Sequence, residues 1–167
     1  MFVALAPRLP PGARVLDLGS RNPSLLQQLA QRGCHVTAVD PQPPAGGDCP
    51  NVAFQQADVE KFVRSPSAAS PPPRYDLILL HEILQYIDPT ILRELRDWLA
   101  PRGLISIMTF AEDDPICQEH QFVPREFIEH VLAPLVKVED RQYRQLDGPE
   151  PRSAPWRHVI ELLFQKQ

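Results

Sequence analysis

The chain has 167 residues, 43% of them hydrophobic, and a formal net charge of −4 at pH 7. This length and composition predict one domain over residues 1–167. The negative charge disfavours nucleic acid as a partner, since no general positive field would gather phosphates. Residues 1–12 are expected to form a short N-terminal segment, in which Pro7 and Arg8 interrupt an apolar run too short for a signal peptide. No run reaches the length of a membrane span, so we expect a cytoplasmic protein without a membrane partner.

Five apolar runs rich in β-branched residues predict strands: ARVLDL, HVTAVD, NVAFQQAD, YDLILL and LISIMTF. Helix-like or loop segments separate several of them, and this alternation favours a parallel sheet. Between the first two runs, Leu25, Leu26, Leu29 and Ala30 share one helical face, and Gly33 follows as a stop. This segment is predicted to be a crossover helix.

Two further helices are predicted in the second half of the chain. One begins at Asp88-Pro89, a side-chain N-cap followed by proline at the first helical position, and precedes a predicted turn at 101–103. Its apolar face comprises Ile91, Leu92, Leu95, Trp98 and Leu99. The other is PREFIEHVLAPL, and the segments VKVEDRQYR and HVIELLFQK that come after it are predicted to form a strand hairpin.

Proline clusters near residues 41–50, 64–74 and 147–155 predict surface loops within the same domain, because proline is excluded from helix interiors. Cys34, Cys49 and Cys117 are odd in number, lie far apart and form no C-x-x-C pair. They predict neither a disulfide framework nor a zinc site. His120, His130 and His158 lack metal-ligand spacing, so no metal site is expected.

The turn after the first strand reads VLDLGSRNPS, and the second strand ends at Asp40. This pattern resembles the first two motifs of class I S-adenosylmethionine-dependent methyltransferases. Gly19 would let backbone approach the amino-acid portion of the cofactor, and a carboxylate beyond the second strand could accept hydrogen bonds from two ribose hydroxyls. The alternative for Asp17 and Asp40 is that strand-end carboxylates only cap adjacent turns.

The resemblance covers nearly the whole chain. YDLILLHEILQYIDP is similar to the family's fourth-strand segment, and several segments resemble the tellurite-resistance type and other small-molecule methyltransferases. The fold implied is a Rossmann-like, doubly wound α/β sheet of about seven strands, mostly parallel with the last strand antiparallel. The implied cofactor-binding residues are Asp17, Gly19, Ser20, Arg21, Asp40, Pro41, Asp58, Val59 and Leu80.

Individual roles follow from the same resemblance. Asp58 stands where the family accepts from the adenine amino group and Val59 where a backbone amide meets the ring; the alternative for Asp58 is an ordinary N-cap of the following turn. Arg21 and Pro23 stand where the family has its second and third glycines. We expect Arg21 to pair with the cofactor's methionine carboxylate, because a guanidinium matches that group.

His81, Glu82 and Tyr86 follow the fourth strand, at the rim where such folds bind ligands. They are predicted to position the acceptor or remove its proton. The alternative is a solvated helix face with a partly packed tyrosine.

The leading function is methyl transfer from S-adenosylmethionine to a small-molecule acceptor, with S-adenosylhomocysteine as product. Arg21 and Pro23 support an alternative, a methyltransferase-like binding or scaffold protein without activity. A nicotinamide-dinucleotide-binding Rossmann protein is a third hypothesis, but G-x-G-x-x-G is missing. Only about a dozen residues precede Arg14, so we expect an open pocket or one covered by a partner chain or a second copy.

Overall fold

The apolar runs form a seven-stranded sheet in the computed structural model, which describes residues 5–20, 23–42, 50–65, 73–146 and 156–167. The strands are β1 (Arg14–Leu18), β2 (His35–Asp40), β3 (Val52–Gln56), β4 (Tyr75–His81), β5 (Leu99–Phe110), β6 (Val136–Leu146) and β7 (Trp156–Gln165). Their order is β3-β2-β1-β4-β5-β7-β6. β1 to β5 pair in parallel, and β7 runs antiparallel between β5 and β6. The predicted fold class is confirmed.

The strand order reverses between β1 and β4, because the chain moves from β1 to β2 and β3 on one side and continues with β4 and β5 on the other. In open sheets of this kind, ligands bind at such a switch point, beyond the carboxyl ends of the strands. The residues that follow β1, β2 and β4 therefore meet at one edge of the sheet.

Helices cover both faces of the sheet. They are α1 (Pro23–Gln31), α2 (Val59–Arg64), α3 (Leu92–Asp97), α4 (Ile116–Glu119) and α5 (Arg125–Leu132). On one face, Leu26 and Leu29 of α1 pack with Val15, Val36 and Leu77 of the strands. The other face buries side chains of α2, α3 and α5, among them Val59, Leu92, Leu95, Ile128 and Leu132. Each fully buried leucine or isoleucine contributes about 1.5–3 kcal/mol relative to an exposed one.

The predicted helix start at Asp88 is confirmed. Its Oδ1 accepts a hydrogen bond from the Thr90 amide at 2.9 Å, and a 3₁₀ turn over Pro89–Ile91 leads into α3. Trp98 is buried as predicted, whereas Leu99 already belongs to β5.

The predicted turn at 101–103 is corrected to an irregularity within β5. Tyr75 pairs with Leu99, but Leu77 pairs with Leu104, so the residues between Leu99 and Leu104 bulge from the ladder. Gly103 allows this, because a Cβ there would lie 2.8 Å from the Tyr75 carbonyl oxygen. The extra residues on one strand are accommodated without ending it.

The proline-rich stretches near 41–50, 64–74 and 147–155 fall largely outside the described residues. In the N-terminal segment, a 3₁₀ turn spans Ala6–Arg8, and Arg8 pairs with Glu139 of β6 at 2.6 Å. Within the described ranges, no helix has the length and apolar character needed to cross a membrane.

Candidate functional site

The bend after β1 depends on Gly19. Its φ is +74°, which side chains disfavour, and a Cβ there would lie 2.2 Å from Cδ1 of Ile83. The Gly19 amide donates to the Val39 carbonyl at 2.8 Å, so the bend is tied to the end of β2. Glycine is therefore required for the backbone angle and for the close packing of the β4 rim.

A buried carboxylate lies directly beneath this bend. Asp17 is 4% exposed and accepts a hydrogen bond from the Ser20 hydroxyl at 2.7 Å. Burial raises the pKa of Asp17 to about 6, the Ser20 hydrogen bond opposes this, and the charge of Asp40 adds to it. A negative charge here is costly for the protein alone, and a cationic ligand would relieve that cost.

Asp40 supplies the second carboxylate, at the end of β2. It is 5% exposed, and its Oδ1 accepts from the Gln42 amide at 2.7 Å. A carboxylate has about four lone-pair sites, and the Gln42 amide uses one of those on Oδ1. The turn-capping alternative is therefore observed for one oxygen of Asp40, and its contact with a ribose stays a prediction.

The other predicted cofactor residues fall into two groups. Leu80 and Val59 are buried in the apolar core, whereas Pro41 is exposed and its carbonyl accepts from Gln56 Nε2 at 3.1 Å. Asp58 is exposed, and its Oδ1 accepts from the Lys61 amide at 2.9 Å as the N-cap of α2. The N-cap alternative is therefore observed for Asp58, and its adenine contact stays a prediction.

Arg21 lies outside the described residues, so its pairing with a cofactor carboxylate stays a prediction. Pro23 begins α1, as expected for proline at the first helical position. The backbone therefore re-enters regular structure four residues after Gly19.

His81 is the last residue of β4, and its position differs from the predicted one. Its Nε2 lies 3.3 Å from Oγ of Ser106, on the sheet face that carries Leu77 and Leu79. Burial lowers the pKa of His81 to about 4, so the ring is neutral at pH 7. Alternate residues of a strand share a face of the sheet, so His81 lies on the same face as Leu77 and Leu79, and its acceptor-facing role stays a prediction.

Glu82 and Tyr86 do form the rim beyond β4. Glu82 has φ +55°, its amide donates to Met108 at 2.7 Å, and its carbonyl accepts from Gln85 Nε2 at 2.7 Å. Tyr86 is 54% exposed, and its ring lies 4.6 Å from that of His120. Non-glycine residues at positive φ are uncommon and concentrate at ligand sites, which agrees with a rim position for Glu82. The role of Glu82 and Tyr86 toward an acceptor stays a prediction.

The sequence interpretation missed a polar cluster at the far end of the same edge. Asp114, 0% exposed, accepts from the His158 amide at 2.7 Å and from Arg157 Nη1 at 3.2 Å. Asp113 Oδ2 lies 2.6 Å from His158 Nδ1. The signal was present: the acidic run after β5 must meet the start of β7 if these strands pair antiparallel.

The methyltransferase domain family matches residues 2–162 of the chain. The chain belongs to this family, in the class I group that uses S-adenosylmethionine. The predicted family is therefore confirmed.

Particular relatives are similar over different parts of the chain. A malonyl-(acyl-carrier protein) O-methyltransferase of Halalkalibacterium halodurans is 45% identical over 67 residues, 38% of this chain and 23% of the relative. A ubiquinone biosynthesis O-methyltransferase of Marinobacter nauticus is 28% identical over 169 residues, 89% of this chain and 63% of the relative. The chain thus spans less than two thirds of the length of these curated relatives.

Among solved structures, the N-methyltransferase NodS from Bradyrhizobium japonicum WM9, in complex with S-adenosyl-L-homocysteine, has the same fold. The TM-score is 0.68 at 19% identity, over 99% of this chain and 83% of that chain.

The residues present fit the family's cofactor. The Asp17 and Asp40 carboxylates are buried at adjacent strand ends, where carboxylates can accept hydrogen bonds from hydroxyl groups. The bend at Gly19 lies between these carboxylates, and because glycine has no side chain, a ligand can approach its backbone. Among the described residues, no group of three or more His, Cys, Asp and Glu is arranged to hold a metal ion.

Proposed function

We propose that this chain binds S-adenosylmethionine across the carboxyl ends of β1 and β2 and transfers its methyl group to a small-molecule acceptor. The observation that carries the proposal is the buried pair Asp17 and Asp40 on either side of the Gly19 bend. Burying two carboxylates close together is unfavourable unless a ligand compensates them. The cofactor offers hydroxyl donors and positive charge.

Each residue has a distinct part in this proposal. Asp40 accepts hydrogen bonds from the ribose hydroxyls through Oδ2, while its Oδ1 remains on the Gln42 amide. Asp17 places negative charge near the cofactor's cationic portion, and Ser20 holds its carboxylate in place. When bound, the cofactor supplies an electrophilic methyl group, and S-adenosylhomocysteine is the product. The chain's task is then mainly to hold an acceptor in line with that methyl group.

Calorimetric titration with S-adenosylmethionine tests the proposal. We expect the wild type to bind and Asp40→Asn to bind about 10- to 100-fold more weakly, because a hydrogen bond to a charged group contributes about 1.5–3 kcal/mol. Asp97→Asn is the matched control, since this carboxylate is 71% exposed on α3. Equal affinity of the wild type and Asp40→Asn would remove Asp40 from the site.

A binding or scaffold protein without activity is the second candidate, favoured by Arg21 and Pro23 in the cofactor loop. The same titration separates the two, because absence of binding at millimolar S-adenosylmethionine and S-adenosylhomocysteine supports the scaffold. NADH in a parallel titration tests the dinucleotide hypothesis. The proposal also includes three broader features: one domain over residues 1–167, a partner chain or second copy over the pocket, and a cytoplasmic location.

A further inference from the structure

A cavity of about 610 Å³ opens beyond the carboxyl end of β5. Its wall includes Ala111 and Asp113 after β5, Phe122 before α5, and Gln142 and Ile160 on β6 and β7. Phe122 and Ile160 offer an apolar surface, whereas Asp113 brings a carboxylate to the wall. The wall therefore combines apolar surface with several charged groups, and the volume lies in the range of small-molecule sites, about 300–1,000 Å³.

His158 is close in structure to two residues of the cavity wall, Asp113 and Ile160, without itself lining the cavity. It is two residues before Ile160 on β7, so both side chains lie on the same face of the sheet. Its Nδ1 lies 2.6 Å from Oδ2 of Asp113, which itself lines the cavity. The ring is therefore joined to the cavity wall through a charged hydrogen bond.

The backbone of His158 is fixed independently of its ring. Its amide donates to Asp114 at 2.7 Å, and its carbonyl accepts from the Ala111 amide at 2.8 Å. Asp114 also pairs with Arg157. This Asp114–Arg157 pair, called the brace below, supports the backbone of His158, and the Asp114 carboxylate in it is buried and charge-compensated. The backbone position of His158 is therefore fixed, and the contact with Asp113 is the one that orients its ring.

Contacts of Gln121 and Ile83 connect the cavity wall to the Gly19 bend by way of the β4 rim. Gln121, next to the cavity residue Phe122, donates to the carbonyls of Leu84 at 3.1 Å and Ile87 at 2.7 Å. Ile83 in the same rim contacts Gly19. β7 lies two strands from β4, about 10 Å away, which a small acceptor can span.

We propose that His158, oriented by Asp113, accepts the proton of an acceptor hydroxyl bound in this cavity; this inference rests on the proposed function. When Nδ1 donates its hydrogen to a carboxylate, the lone pair of a neutral imidazole lies on Nε2. In the methyl-transfer step, the acceptor oxygen forms a bond to the methyl carbon and the bond from that carbon to the sulfonium sulfur breaks. The electron pair of the broken carbon–sulfur bond stays on sulfur, and the hydroxyl proton passes to Nε2 of His158.

The charges of the wall restrict the acceptor class. Glu112, Asp113 and Glu126 line the cavity, and the cationic Arg125 already pairs with Asp140 at 3.2 Å. An anionic acceptor would meet net repulsion there. The acceptor is therefore a neutral or cationic hydroxyl compound with an apolar body, for which catechol is a suitable probe.

The kinetic test compares two probes with different proton requirements. With catechol, His158→Gln is expected to lower kcat by about 10²- to 10⁴-fold with little change in KM, the usual contribution of a proton acceptor. With 4-nitrocatechol, whose hydroxyl is largely ionised at neutral pH, repulsion by the acidic wall should raise KM for the wild type and the variant alike, whereas the loss in kcat at saturation is expected to be much smaller. His130→Gln, an exposed histidine on α5, is the control and should match the wild type for both probes. Equal losses for both probes, or no loss for either, would overturn the inference.

A spectroscopic test needs no turnover. ¹⁵N NMR of the ring nitrogens is expected to show the Nδ1–H tautomer for His158 in the free wild type and a mixture of tautomers in Asp113→Asn. Asp113 is 65% exposed at its side chain, so this variant should fold. An Nε2–H tautomer in the wild type, or spectra unaffected by Asp113→Asn, would overturn the orientation that the inference requires.

The outcomes also separate the inference from the proposed function. If the wild type binds no S-adenosylmethionine, both are overturned. If it binds the cofactor but methylates neither catechol, or if His158→Gln equals the wild type, only the inference about His158 is overturned.

Discussion

The two ends of the sheet edge each bury a carboxylate, but in opposite electrostatic settings. Asp17, beneath the Gly19 bend, has the Ser20 hydroxyl as its donor and another carboxylate nearby. Asp114, beyond β5, receives a guanidinium and a backbone amide. The first arrangement costs stability unless a ligand brings positive charge, whereas the second is complete within the protein. The comparison separates a site prepared for a ligand from a structural brace.

Removing the brace should have the largest effect. Asp114→Ala leaves the His158 amide and the largely buried Arg157 without this partner, and breaking a buried pair costs about 3–5 kcal/mol. Urea unfolding followed by circular dichroism measures the loss in the free energy of unfolding. Glu112→Ala, an exposed neighbour, should change it by no more than about 0.5 kcal/mol. If both variants lose the same amount, Asp114 is no brace.

Gly19→Ala should have the next largest effect. Positive φ costs about 1–2 kcal/mol and the clash with Ile83 about 1–3 kcal/mol, so we expect a total of about 2–5 kcal/mol. Gly33→Ala is the matched control, because Gly33 has φ +80° but no atom within 4 Å of an added Cβ, and should show the backbone cost alone.

The pair of glycine variants also isolates the packing contribution. Adding Ile83→Val to Gly19→Ala removes the Cδ1 atom at 2.2 Å and should recover part of the lost stability. The same change added to Gly33→Ala should recover none. A double-mutant cycle in thermal unfolding measures this coupling, and a coupling of zero would mean that Ile83 does not restrict position 19.

The sequence was sufficient for features that depend on local patterns. The crossover helix α1, the cap at Asp88 and the positions of Gly19 and Asp40 follow from periodicity and from turn chemistry within a few residues. The Asp113–His158 pair joins positions 45 residues apart, and only the antiparallel placement of β7 beside β5 brings them together. The sequence placed His81 just after β4, whereas it is the last residue of that strand, because the strand end depends on pairing with β5 that the local pattern does not show.

The smallest expected change in stability tests the unsatisfied charge at Asp17. Its pKa rises from 3.8 to about 6 on folding, so between these values the native state holds a proton that the unfolded chain has released. Stability contributed by this group therefore falls as pH rises through that window, by about 2–3 kcal/mol in total. Asp17→Asn keeps the shape without the charge, so it should stabilise the free protein by this amount at pH 7.5 and by almost nothing at pH 4.

The same variant should bind S-adenosylmethionine more weakly, because the cationic portion of the cofactor no longer has the Asp17 carboxylate beside it. Thermal unfolding of both proteins from pH 4 to 7.5, with calorimetry at pH 7.5, checks both statements. Parallel stability profiles would show that Asp17 is as well compensated as Asp114, and the contrast between the two ends of the sheet would be lost.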